Sequence, residues 1–102
     1  MPNSYVTNLY LVPTNGATSQ RLSPDTVTIA EFGAFDPTTR VISFDVQSND
    51  VFMTLDTSVP SSSNGHKLYA GRSYSLSKQA AEVAQFISAS GTAVIYATEM
   101  AS

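Results

Sequence analysis

The chain has 102 residues, no cysteine, and a formal net charge of -3 from 8 acidic and 5 basic residues. That length supports one domain with a modest stability margin, and the missing thiols exclude disulfides, thiolate metal sites and cysteine nucleophiles. The basic residues (Arg21, Arg40, Lys67, Arg72, Lys78) are scattered, which argues against the clustered positive face that binds nucleic acid.

Charged residues make up 13% of the chain, about half the usual share. Hydroxyls take over the polar role, with 15 Ser and 11 Thr. A neutral, hydroxyl-rich surface suits packing against other protein better than steering a charged substrate. The opening MPNSYVTNLYLV alternates polar and apolar residues and so lacks the form of a secretion signal. No apolar run approaches the ~20 residues of a membrane span. The expectation is a soluble protein made in a cytoplasm, with no membrane or nucleic-acid partner.

Period-2 patterning dominates from the start. Residues 5–12 alternate as a strand that ends at Pro13-Thr14-Asn15-Gly16, a turn with proline and Asn-Gly chemistry. A second strand is expected at Val27–Glu31, followed by a turn around Asp36-Pro37. In RVISFDVQ, Ile42, Phe44 and Val46 share one face and Val41, Ser43, Asp45 and Gln47 the other. Ser48-Asn49-Asp50 then turns into VFMTLD, with Val51, Met53 and Leu55 on one face, and the pair reads as a hairpin. After the Ser-rich stretch DTSVPSSSNGH come HKLYA, a tight Ala70-Gly71 turn and RSYSLS, a second expected hairpin.

SKQAAEVAQFIS has two readings: an amphipathic helix capped by Ser77, or one helical turn at 78–82 and then a strand at 83–89. The second is preferred, because SASGTAVIYA reads as a hairpin centred on Gly91 and a hairpin needs a strand before it. The chain closes on TAVIYATEM. The expected fold is all-β: one domain over residues 1–102, a jelly-roll-like sandwich or barrel of about eight antiparallel strands with one short helix near 78–82.

Catalytic constellations are hard to assemble. His66 is the one imidazole, so a Ser-His-Asp or His-metal scheme must use it; beside Asn64-Gly65 it reads as a surface loop residue. Ser75-Leu76-Ser77-Lys78 matches S-x-x-K, but the S-D-N and K-T-G partners of the penicillin-recognising enzymes are absent. Asp45, Asp50 and Asp56 lack the register of a calcium loop; Asp50 and Asp56 are expected to cap turns. Glu31, Glu82 and Glu99 show no spacing that pairs two carboxylates. No catalytic, cofactor-binding or metal-ligating residue is assigned, no cofactor is expected, and the chain reads as no enzyme. Most aromatics read as core. Exposed tyrosines leave a sugar-stacking platform as a separate reading, weakened by the lack of Trp.

Asp50-Val-Phe-Met-Thr-Leu-Asp56-Thr-Ser58-x-Pro60, then Gly65-His66-x-Leu68-x-Ala70-Gly71-x-Ser73-Tyr74, then Phe86-Ile87-x-Ala89-Ser90-Gly91-Thr92-Ala93 resemble a pattern in small bacteriophage virion structural proteins. The likeness covers residues 45–99 and rests on turn motifs; the first forty residues add only strand pattern. It implies a non-enzymatic cement or decoration protein that binds the major capsid protein or other virion proteins, assembled in the host cytoplasm and located in the virion. It also implies a homo-oligomer, with a trimer favoured. The alternatives are a tail or head–tail junction component, and a carbohydrate-binding or adhesion module. DTSVPSSSNGH is expected to be a connecting loop that touches a neighbouring subunit.

Overall fold

The computed structural model describes residues 12–13 and 19–101. It is an all-β sandwich of two antiparallel sheets, with eight strands and one short helix among the described residues. The strands are β1 (Val12–Pro13), β2 (Ser19–Leu22), β3 (Val41–Gln47), β4 (Val51–Thr54), β5 (His66–Leu68), β6 (Ser73–Ser77), β7 (Gln85–Ser88) and β8 (Val94–Ala101); the helix α1 is Lys78–Val83. In the large sheet β8 lies beside β3 and β3 beside β6, while β1 and β2 both pair with β8. Since β3 pairs with β8 over residues 94–100, β1 and β2 share the other edge of β8. The small sheet runs β5-β4-β7.

Alternation sorts the side chains. Ile42, Phe44 and Val46 of β3 and Ile95 and Ala97 of β8 are buried, while Ser43, Asp45 and Tyr96 face outward on the opposite pleat. Val51 and Met53 of β4, Leu68 of β5 and Phe86 of β7 close the core from the small sheet, with Ala81 and Ala84 filling the end under the helix. Phe86 meets Phe44 at 5.7 Å between ring centroids and Phe32 at 5.4 Å, both edge-to-face, the geometry that the ring quadrupoles favour.

The helical turn followed by a strand stands where the patterning put it. Ser77 caps α1, accepting from the Ala80 amide at 3.2 Å, and Ala84 is extended with ψ 134°, which starts β7. The Asp36-Pro37 turn is also present: the Asp36 carbonyl accepts from Thr39, and its carboxylate from the Thr38 amide and hydroxyl.

Three expected hairpins are not hairpins. The Ser48-Asn49-Asp50 turn carries the chain from β3 in the large sheet to β4 in the small one. Ala70-Gly71 leads from β5 back to β6, and the Gly91 turn leads from β7 to β8. Each crossing holds one left-handed residue, Ser48 (φ 76°), Gly71 (φ 85°) or Gly91 (φ 57°). The chain does reverse where the turn residues say, but its strands then face each other across the core instead of bonding edge to edge. All three crossings lie at one end of the sandwich, where side chains join them. Asp50 Oδ1 accepts from the Ala70 amide at 2.8 Å, and Asn49 Nδ2 donates to the Thr92 carbonyl at 2.8 Å. Among the described residues, the one pair of consecutive strands that bond directly is β4–β5, joined by the Ser-rich stretch.

The strand expected at 27–31 is also absent. Asp25 Oδ1 takes the amides of Val27 (2.8 Å) and Thr28 (2.6 Å), so the ladder donors are spent on a local turn. Val27 is 83% exposed, and within residues 27–31 the backbone meets the small sheet at Ala30, as an isolated bridge to Phe86. Of the strand expected at 5–12 and the turn at 13–16, only Val12 and Pro13 are described, and Pro13, expected to open the turn, instead continues the strand opposite Met100; residues 5–11 and 14–16 lie outside the described residues.

Candidate interaction surface

The loop between β4 and β5, residues 55–65, is braced by its own hydroxyls. Thr54 Oγ1 donates to the Ser58 carbonyl at 2.6 Å. Asp56 Oδ1 accepts from both the hydroxyl and the amide of Ser58. Those two donors, the hydroxyl first, hold the Asp56 carboxyl below its ordinary range. Asn64 Nδ2 donates to the Val59 carbonyl at 2.8 Å and to Ser58 Oγ at 3.1 Å. Ser61 and Asn64 exchange backbone bonds at 2.9 and 3.1 Å, closing a four-residue turn. Pro60 is fully buried beneath it, whereas Val59 is 62% exposed. A loop tied at this many points presents its surface with little ordering entropy left to lose on binding.

Gly65 sets the loop's return. Its φ is 124°, and a Cβ there would stand 2.7 Å from the Met53 carbonyl oxygen. Backbone strain and overlap act together in Gly65→Ala, so a loss of about 2–4 kcal/mol is expected in urea denaturation. Gly71→Ala, left-handed but with open space around it, should lose less than half as much. Equal losses would mean that the close approach to Met53 does not matter.

Two depressions flank the loop. A cleft of about 360 Å³ at its base is lined by Thr54, Leu55, Asp56, Asn64, Gly65 and His66. On the other side Ser61 and Ser62 lean over the outer face of the small sheet. With Thr26 they rim a hollow of about 260 Å³ floored by the half-buried Phe52 and Ile87.

The residues weighed for chemistry are dispersed. His66 is exposed at the start of β5. Ser75 faces outward opposite Ser43, while Lys78 Nζ reaches the Asp36 carbonyl at 3.4 Å, so the S-x-x-K pair points two ways. Asp45 accepts from the Ser73 hydroxyl at 2.6 Å. Asp56 caps its turn as expected, but Asp50 spans two crossings instead of capping its own, and its Oδ2 lies 3.7 Å from Lys67 Nζ. Glu31 lies 3.5 Å from Gln85 Nε2, and Glu82 is exposed on α1. Among the described residues no group of three or more His, Asp or Glu is placed to hold a metal ion, and no helix is long and apolar enough to cross a membrane.

Glu99 is 1% exposed. Its Oε1 accepts from the Asp36 amide and the Thr39 hydroxyl, each at 2.7 Å, fastening the 36–39 turn to β8. The sequence held a signal for this: Glu99 continues the inward series Ile95, Ala97 by period 2. The Asp56–Ser58 brace of the 55–65 loop was legible as an Asx turn, whereas the apolar floor at Phe52 and Ile87 had no signal, because it depends on which elements meet. No protein-family model matches this chain, and no match to it is found among curated proteins or solved structures.

Proposed function

We propose that this chain is a non-enzymatic structural protein of a bacteriophage virion, a cement or decoration protein that binds the major capsid protein and stabilises the head shell. The observation that carries the reading is the braced 55–65 loop beside the hollow over Phe52 and Ile87. An apolar floor ringed by neutral hydroxyls, with the exposed Val59 two residues before Ser61 in the same loop, has the make-up of a protein–protein contact: dry at the centre, polar at the rim, poor in charge. The resemblance of the turn motifs to those of small virion proteins supports the same reading. In this reading the protein acts by burying its own surface against the shell, in the virion, after assembly in the host cytoplasm.

The test is co-sedimentation of the purified chain with emptied heads of a phage that carries it. Saturation at a fixed number of copies per head is expected. Val59→Asp, a change at an exposed site, should weaken binding at least tenfold without altering the fold. Binding to tails instead of heads would favour a tail component, and binding to neither would sink the proposal.

A further inference from the structure

The outer face of the large sheet carries one row of unlike charges set symmetrically about an aromatic ring. Strand register places Arg21 of β2 opposite Tyr96 of β8, and Tyr96 opposite Asp45 of β3. All three are exposed, Tyr96 at 48%. With strands about 4.8 Å apart, Arg21 and Asp45 stand equally far to either side of Tyr96. The next row outward along β8 is neutral: Ser19, Thr98 and Ser43 lie side by side.

We infer that this face binds a second copy of the chain, through a two-fold axis that runs along β8 between two facing large sheets. Such an axis reverses the order of strands but leaves each row on itself. Arg21 of one copy then stands over Asp45 of the other, and Asp45 over Arg21, giving two ion pairs around a central pair of Tyr96 rings. In the row beside it, Ser19 meets Ser43 and Thr98 meets Thr98, so hydroxyls face hydroxyls and no charge is left without an opposite. A two-fold contact must be self-complementary, and a row ordered cation–ring–anion meets that condition. A three-fold assembly, as the resemblance implied, makes no such use of it. The inference does not rest on the shell-binding proposal, which uses the small sheet and the 55–65 loop.

Three strands make a small contact, below about 1,200 Å² in total, so the dimer should dissociate in the micromolar range. Close charge pairs across interfaces carry specificity, and like charges set face to face are strongly unfavourable. The experiment is sedimentation velocity on the full chain from 1 μM to 1 mM. A monomer–dimer equilibrium is expected. Arg21→Asp alone places Asp on Asp at both pairs, and Asp45→Arg alone places Arg on Arg; each should raise the dissociation constant at least tenfold. Mixed one to one, the two variants should associate as a heterodimer about as tightly as the parent, because both ion pairs re-form. Asp45 of one variant stands over Arg21 of the other as in the parent, and the two substituted side chains pair with the signs exchanged. Circular dichroism of each variant reports its fold, and a misfolded variant is replaced by Arg21→Glu or Asp45→Lys.

A monomer throughout the range, a trimer, or a dimer untouched by either reversal would overturn the inference. So would a monomer that binds glycans on an array and loses them with Tyr96→Ala, which would make the same ring a sugar platform.

Discussion

Replacing Phe86 by Ala should cost about 3–5 kcal/mol, the range for removing a fully buried aromatic and leaving a partly collapsed cavity. Phe86 has no exposed surface, and it joins the two sheets: it stands on β7 of the small sheet and packs edge-to-face on Phe44 of the large sheet and on Phe32 of the covering loop. Its backbone also holds the single bridge to Ala30, at 2.9 and 3.0 Å. A domain of this size has roughly 5–15 kcal/mol in total, so the variant should melt at least 10 °C lower, at about 4 °C or more per kcal/mol. Phe86→Leu, which keeps most of the apolar volume, should recover more than half of the loss. Tyr96→Ala, outward on the opposite face, should change stability by under about 0.5 kcal/mol. A loss below 1 kcal/mol for Phe86→Ala would mean that the three rings do not form the centre of the core.

Removing the Glu99 carboxylate should be nearly as damaging, at about 2–4 kcal/mol for Glu99→Ala. Truncation leaves the Asp36 amide and the Thr39 hydroxyl without their acceptor inside the protein, and an orphaned buried donor costs more than a made bond contributes. The side chain's Oε2 has no partner in the structure, so the two bonds at Oε1 carry the whole interaction. Glu99→Gln keeps an oxygen that can accept both donors and should lose less than half as much. Hydrogen exchange gives a second reading that global stability does not. The Asp36 amide should be protected in the parent and in Glu99→Gln, and exchange freely in Glu99→Ala at temperatures where all three are folded. Protection that survives in Glu99→Ala would show that the 36–39 turn is held by its own Asp36–Thr39 and Asp36–Thr38 bonds instead of by β8.

Several features follow from local chemistry and were legible in the residues themselves. Alternation in RVISFDVQ puts Ile42, Phe44 and Val46 on the buried face, because a strand turns its side chains through 180° at each residue whatever it packs against. The Ser77 cap and the short helix rest on a hydroxyl within reach of an amide three residues on. Asp56 beside Ser58, and Asp36 beside Thr38, form turns from groups two residues apart. The class all-β, and the places where the chain reverses, were therefore set by neighbours in sequence.

What the tertiary structure alone decided is how the strands are shared between sheets. Asn49, Gly71 and Gly91 mark reversals equally well whether the next strand bonds to the last one or crosses the core to face it. An apolar face points inward in both arrangements, so period 2 cannot separate them. The choice is made by contacts far apart in the chain: Asp50 with Ala70, Asn49 with Thr92, Phe44 with Phe86. The same holds for the surfaces proposed for binding. The hollow over Phe52 and Ile87 exists only because Ser61 and Thr26 arrive there from opposite sides, and Arg21, Tyr96 and Asp45 share a row only through the register of three strands drawn from both halves of the chain. Sequence spacing carries information about neighbours a few residues apart; side-by-side placement across a sheet is settled by the energy of the whole packed core, which no single stretch contains.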